Sequence, residues 1–198
     1  MSTNTTSVWR KKLKELEIVV VIPTYNNGKT LAAVIEEVCR YADDIIVVND
    51  GSTDDTANIL EQYPAIRTIT HPVNKGKGTA LKHGLSQAKK EGFRYAITID
   101  SDGQHFASDI PCFIEAIEKE PDTLLVGARN LASDNMPGKN TFANKFSNFW
   151  FRLETGLKLE DTQSGYRLYP LRKMNVQSCW YTCLLYTSPS PRDPKTSR

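Results

Sequence analysis

Ile18-Val19-Val20-Val21-Ile22-Pro23-Thr24-Tyr25-Asn26-Asn27-Gly28 is the stretch on which the fold turns. Its first five residues are β-branched and apolar, which predicts a strand, and Pro23 ends the run. Asn26-Asn27-Gly28 then turns the chain into a helix, because Leu31, Val34, Ile35 and Val38 recur at helical spacing. The same alternation continues downstream. Ile45 to Val48 reads as a fully buried strand, and the turn Asn49-Asp50-Gly51-Ser52 follows it. Asp54 or Ser52 then caps a helix over Ala57 to Gln62. Ile66 to Thr70 is a third strand, Tyr95 to Ile99 a fourth and Leu124 to Val126 a fifth. Ala80, Leu81, Leu85 and Ala88 line one helix face. Another helix opens at Ser108 as N-cap, with Pro111 in its first turn and Phe113, Ile114 and Ile117 inward. Strands alternating with helices predict an α/β fold with a mostly parallel central sheet flanked by helices.

A chain of 198 residues with 39% hydrophobic content supplies the core of one domain. We read 1–17 as an N-terminal extension, 18–182 as the domain and 183–198 as a tail. The 25 basic and 23 acidic residues nearly cancel, which excludes a nucleic-acid binder with a large basic excess. Arg10, Lys11, Lys12 and Lys14 read as a solvated cluster whose charge also suits peripheral contact with an anionic membrane surface. Four cysteines without a Cys-x-x-Cys pair read as reduced thiols of a cytoplasmic protein. No run has signal-peptide length or the roughly 20 apolar residues of a membrane span. Phe142, Phe146, Phe149, Trp150 and Leu153 form an aromatic helix face that reads as core. From Cys183 periodicity is lost, and Cys183 to Asp193 looks like translated sequencing-adapter sequence, so the domain is expected to be truncated at its C-terminus.

The chemistry concentrates after the strands. Asp100, Asp102 and Gln104 follow the fourth strand, and a persisting extended backbone points all three to one side. That is a partial shell of hard oxygen ligands suited to Mg2+ or Mn2+, although paired acids after a strand also serve as turn braces. Asp50 follows the second strand; its carboxylate either accepts from a base imide or ribose hydroxyl or caps the next helix. Lys75 and Lys77, interleaved with Gly76 and Gly78 at a helix start, offer charge and free amides to phosphate, without the order of a P-loop. Arg129, just past the fifth strand, is a candidate diphosphate partner. His71, His83 and His105 do not cluster in sequence.

Taken together, Ile22-Pro23-Thr24-Tyr25-Asn26, Val48-Asn49-Asp50-Gly51-Ser52-Thr53-Asp54, Asn74-Lys75-Gly76-Lys77-Gly78, Asp100-Ser101-Asp102-Gly103-Gln104 and Asp161-Thr162-Gln163-Ser164-Gly165-Tyr166-Arg167 resemble the family 2 inverting glycosyltransferases. The branch most similar contains the dolichyl- and polyprenyl-phosphate mannose or glucose synthases. The resemblance covers about residues 18 to 175 and implies a GT-A, Rossmann-like fold. It implies that Pro23, Tyr25 and Asp50 contact the nucleoside, with Thr24, Asn27, Gly51, Lys77, Gly78 and Ser101 completing the donor site. Asp100, Asp102 and Gln104 then hold the metal and diphosphate. Arg129, Gln163 and Arg167 meet donor or acceptor phosphates. Many members carry Glu where this chain has Asn27, which leaves the base, and so a GDP- or UDP-sugar donor, open. The implied reaction is metal-dependent sugar transfer with inversion to a lipid-phosphate or glycan acceptor, at the cytoplasmic face of a membrane in the lipid case. An ionised lipid phosphate needs no general base; a sugar hydroxyl does, and Asp161 is the candidate, with a loop-bracing role as its alternative. Two rival functions are a sugar-phosphate nucleotidylyltransferase, which wants a Gly-rich loop right after the first strand, and a nucleotide-sugar sensor or inactive fragment.

Overall fold

The apolar run Ile18–Thr24 forms β1, and all seven of its residues are buried. Parallel partners on both edges explain this: β2 (Ile45–Asn49) lies on one side and β4 (Tyr95–Thr98) on the other. β3 (Arg67–Thr70) pairs in parallel outside β2. Beyond β4 come β6 (Arg167–Pro170) and then β5 (Leu125–Val126), and β6 runs antiparallel to both of its neighbours. The sheet order is β3-β2-β1-β4-β6-β5. The computed structural model of the chain describes residues 3–127 and 165–174. The aromatic stripe from Phe142 to Leu153 and the tail after 182 lie outside them.

Alternating residues of the buried strands divide the core into two layers. Ile18, Val20 and Ile22 face α2 (Gly28–Cys39), α3 (Thr56–Glu61) and α5 (Ile110–Lys119). Val19, Val21, Ile46 and Val48 face α4 (Lys77–Lys90), through Ala80, Leu85 and Ala88. Each fully buried Ile or Val contributes roughly 1.5–3 kcal/mol. The sheet is therefore the buried middle of three layers, and its strand ends point their loops at one rim. α4 sits unusually close to the sheet at Gly84, where a Cβ would lie 2.5 Å from Val21 Cγ1 and 3.0 Å from Val48 Cγ2.

Three details differ from the sequence expectations. Residues 1–17 are not simply a solvated extension: Thr3–Glu15 forms α1, which buries Leu13 in the core with Trp9 and Leu16 packed beside it. Three of its basic side chains find acidic partners, Arg10 with Asp43, Lys11 with Glu15 and Lys12 with Glu118. Ser108 does not cap α5, because a 3-10 turn over Ala107–Asp109 comes first and places Asp109 at the N-cap, without a side-chain cap bond. The Ala107 amide is satisfied instead by Glu37 Oε1 at 3.1 Å. At α3 the N-cap is Asp55, while Asp54 Oδ1 takes the Thr56 N–H at 3.1 Å.

Candidate active site

β1 lies between parallel β2 and β4, so the loops that leave these three strands at their carboxyl ends surround a crevice at one rim of the sheet. Ligands of open α/β sheets bind in such a crevice, outside the carboxyl ends of the strands. A cleft of about 330 Å³ opens there. β1 supplies Pro23, Thr24 and Tyr25 to its wall, and β2 supplies Asp50. Asp100, Ser101 and Asp102 enter from β4, with Asn27 and Lys77 from the starts of α2 and α4. Asp50 and Asp102, far apart in the chain, thus share one cavity.

The loops after β1 and β2 are laced together before any ligand arrives. Asn26 has φ 53°, a left-handed conformation that Asn tolerates. Its N–H donates to Ser52 Oγ at 3.0 Å and its Oδ1 accepts from the Thr53 N–H at 2.8 Å. Asp54 Oδ2 takes the Gly28 N–H at 2.9 Å. Burial raises the Asp54 pKa, but hydrogen bonds from Thr56 and Gly28 outweigh it and hold the carboxyl below its ordinary value. Gly51 has φ +70°, and a Cβ there would lie 2.4 Å from the Val73 carbonyl carbon, so the β2 and β3 loops can touch only through glycine.

Asp50 is 2% exposed, and of its two readings the helix cap is not realised. Its Oδ1 lies 2.6 Å from His71 Nδ1 and accepts the Lys75 N–H at 3.0 Å. His71 Nε2 lies 2.7 Å from His83 Nδ1, so two histidines distant in sequence meet in space. The amides around Gly76 are correspondingly not free: Lys75 serves Asp50, and the Gly76 N–H serves Asn74 Oδ1 at 2.9 Å.

The β4 end is built differently. Asp100 Oδ1 lies 2.7 Å from Lys77 Nζ and its Oδ2 3.9 Å from His105 Nε2. Gly165 backs it so tightly that a Cβ would approach Asp100 Oδ2 to 2.2 Å. Ser101 is anchored to α2: its Oγ accepts from Asn27 Nδ2 at 2.8 Å and its carbonyl from Thr30 Oγ1 at 2.6 Å. The extended backbone then stops, because Gly103 takes φ 77° and the Gln104 N–H donates back to Asp102 Oδ1 at 3.0 Å. Asp100 and Asp102 face the cleft, while Gln104 is exposed and does not line it. Gly51, Gly78 and Arg167 are also absent from the described lining; Arg167 is buried in β6. Arg129, Asp161 and Gln163 lie outside the described residues. Among those described, no group of three His, Cys, Asp or Glu side chains forms a metal shell by itself.

Sequence reading missed His71, His83, Thr30 and Gly165. Nothing in their spacing announces a contact, since each acts across a turn of the fold. Residues 19–182 match the family model described as glycosyl transferase family 2. The chain belongs to this family.

Among family 2 relatives, the chain is 31% identical over 181 residues to a UDP-N-acetylglucosamine–dolichyl-phosphate N-acetylglucosaminyltransferase of Methanococcus voltae, an alignment covering 81% of this chain and 72% of the relative. It is 28% identical over 160 residues to the polyprenol monophosphomannose synthase of Mycolicibacterium smegmatis, covering 76% and 60%. Against glucosyl-3-phosphoglycerate synthase of Mycobacterium tuberculosis, crystallised with Mn2+, UDP and glucosyl-3-phosphoglycerate, the TM-score is 0.64 at 21% identity, covering 87% of this chain and 62% of that one. The shared architecture is the GT-A fold. The chain spans roughly half to three-quarters of the length of the curated relatives it matches. Among the described residues, no helix of this family 2 chain is long and apolar enough to cross a membrane.

Proposed function

We propose that the chain carries the donor site of a metal-dependent, inverting glycosyltransferase that moves a sugar from a UDP- or GDP-sugar to a polyprenyl-type lipid phosphate, with a glycan hydroxyl as the alternative acceptor. The observation that supports it is the convergence of Asp50, Asp100 and Asp102 on one cleft at the carboxyl ends of β2 and β4. Asp50 suits the ring N–H of a uracil or guanine base, and Pro23 and the partly exposed Tyr25 ring offer an apolar wall beside it. Asp100 and Asp102 fit Mg2+ or Mn2+ as a two-carboxylate site: both are hard oxygen donors facing the cavity, and Asp100 already binds a cation, the Lys77 ammonium. An ion held there by Asp100 and Asp102 would neutralise the charge that develops on the leaving nucleoside diphosphate.

This chain's own groups do the rest. Lys77 moves from Asp100 to a donor phosphate when the site fills. Ser101, tied to Asn27 and Thr30, holds the acidic turn in place. Positioning supplies most of the rate, since an ionised lipid phosphate attacks without a base. With a hydroxyl acceptor, Asp161 takes the proton. Arg129, Gln163 and Arg167 are the proposed phosphate or acceptor contacts. The lipid acceptor is favoured because the relatives' names specify dolichyl phosphate and polyprenol. Such an acceptor places the chain at the cytoplasmic face of a membrane, with the α1 cluster as its peripheral contact.

The test is transfer from UDP- and GDP-sugars to a polyprenyl phosphate, with and without Mn2+. Asp102→Ala loses metal-dependent transfer with its fold intact; retained transfer removes the metal reading. Binding of the donor without turnover in the wild type favours a nucleotide-sugar sensor. The nucleotidylyltransferase reading has no support at the loop after β1, which is Tyr25-Asn26-Asn27 and not glycine-rich.

A further inference from the structure

His71 and His83 have no part in the chemistry above, yet they are hydrogen-bonded in series to the carboxylate that reads the base. The geometry points to them as positioning residues for nucleotide recognition: His71 fixes Asp50, and His83 fixes His71. The inference rests on the reading of Asp50 as the base contact.

An ionised Asp50 can only accept, so His71 carries its proton on Nδ1 and donates to Oδ1 at 2.6 Å. The Lys75 N–H fills the same oxygen at 3.0 Å. Oδ1 is thereby saturated, which leaves Oδ2 as the acceptor for a ligand in the cleft that Asp50 lines. His71 Nε2 and His83 Nδ1 share a second hydrogen bond across 2.7 Å, so His83 braces the far edge of the ring that holds Asp50. The rings meet with 87° between planes and 4.7 Å between centroids.

The fold builds this contact deliberately. His71 extends β3, its N–H bonded to Asn49 O at 2.9 Å, and is 4% exposed. His83 reaches it from α4 because Gly84 lets the helix settle onto Val21 and Val48. Burial, followed by His71, Lys75 and Lys82, lowers the His83 pKa against the pull of Asp50, which keeps the second ring neutral near pH 7. A carboxylate has no proton to donate, and one fixed in orientation favours bases that present a ring N–H to it.

The experiment uses the whole chain with Mn2+ and titrates UDP and GDP, with pyrophosphate as the base-free probe. An Asn side chain places its amide nitrogen near the Nδ1 position and a Gln near Nε2, so the two separate the contacts. His71→Gln is expected to weaken the preferred nucleotide by about 10- to 100-fold, the loss of one hydrogen bond to a charged group. His71→Asn is expected to recover most of that loss, and His83→Leu to weaken binding about 3- to 10-fold. Pyrophosphate affinity stays unchanged in all three. Nitrogen-detected NMR of the wild type should show the His71 imidazole protonated on Nδ1, a readout that needs no variant to fold. Equal nucleotide affinity across the series, an Asn variant as weak as the Gln one, a parallel fall in pyrophosphate binding, or the opposite tautomer each overturns the inference. If the wild type binds pyrophosphate but neither nucleotide, the base-contact reading itself fails and takes the inference with it.

Discussion

The β2 rim and the β4 rim each deliver an aspartate to the same cleft, but they are finished to different degrees. Asp50 is 2% exposed and already has two donors on one oxygen, with a histidine pair behind it. Asp102 is solvent-exposed on a glycine turn, and its neighbour Asp100 holds Lys77, a partner that the proposed metal ion would displace. Under the proposed function, base recognition would be pre-organised by the fold, whereas the ion and diphosphate subsite would be assembled from outside. A rigid half that selects and an open half that exchanges its ligand would suit the proposed turnover, in which the diphosphate must leave.

Substitutions can break that contrast in order of size. The largest effect belongs to the open rim: Asp102→Ala should reduce kcat/KM for transfer by about 10²- to 10³-fold, the scale of losing one preorganised electrostatic contact. Its melting temperature should barely move, because the side chain is exposed. A coupled transferase assay with a thermal melt measures both. Next, Gly84→Ala drives a methyl into Val21 and should cost about 1–3 kcal/mol. Near this chain length that is a Tm fall of about 2–4 °C per kcal/mol by calorimetry, with weakened nucleotide binding as His83 lifts away. Asp50→Asn should show the reverse of the Asp102 signature, weakening UDP or GDP binding and lowering stability by about 1–2 kcal/mol, since His71 then loses its charged acceptor. A Tm unchanged in Asp50→Asn would erase the distinction between the rims.

The smallest effect is a pH dependence. The folded His83 pKa lies below the unfolded value of about 6.5, so above that value neither state is protonated and the group contributes nothing. As pH falls below about 6.5, the unfolded chain takes up a proton that the folded site resists, and stability drops. Wild type should therefore lose more Tm between pH 7.5 and 5.5 than His83→Gln does.

The finished and unfinished rims also differ in how legible they were. β1, β2 and β4 are short apolar runs with no competing pattern, so order alone places Asp50, Asp100 and Asp102 at one rim where open sheets bind ligands, while their roles came from the family resemblance. The direction of the Asp102 turn could not, because Gly103 breaks the extended geometry that would have carried Gln104 to the same side. The Asp50 support was hidden for another reason: His71 ends a strand and His83 sits within a helix, and only the close helix seat at Gly84 brings them together. α1 was masked by its charges, although Trp9, Leu13 and Leu16 stand at helical spacing and are the stripe that packs on the core.

One feature of the sheet bears on how the chain is made. β4 receives its outer partner from β6, and the paired residues Thr98 and Arg167 are 69 positions apart. At a synthesis rate of about 5–20 residues per second, the ribosome has emitted Tyr95–Thr98 several seconds before that partner exists. During this interval a nascent strand of apolar residues shows an unpaired ladder to whatever lies nearby. Expression yield, more than melting temperature, is therefore where damage to the Gly165–Pro170 segment should first be felt.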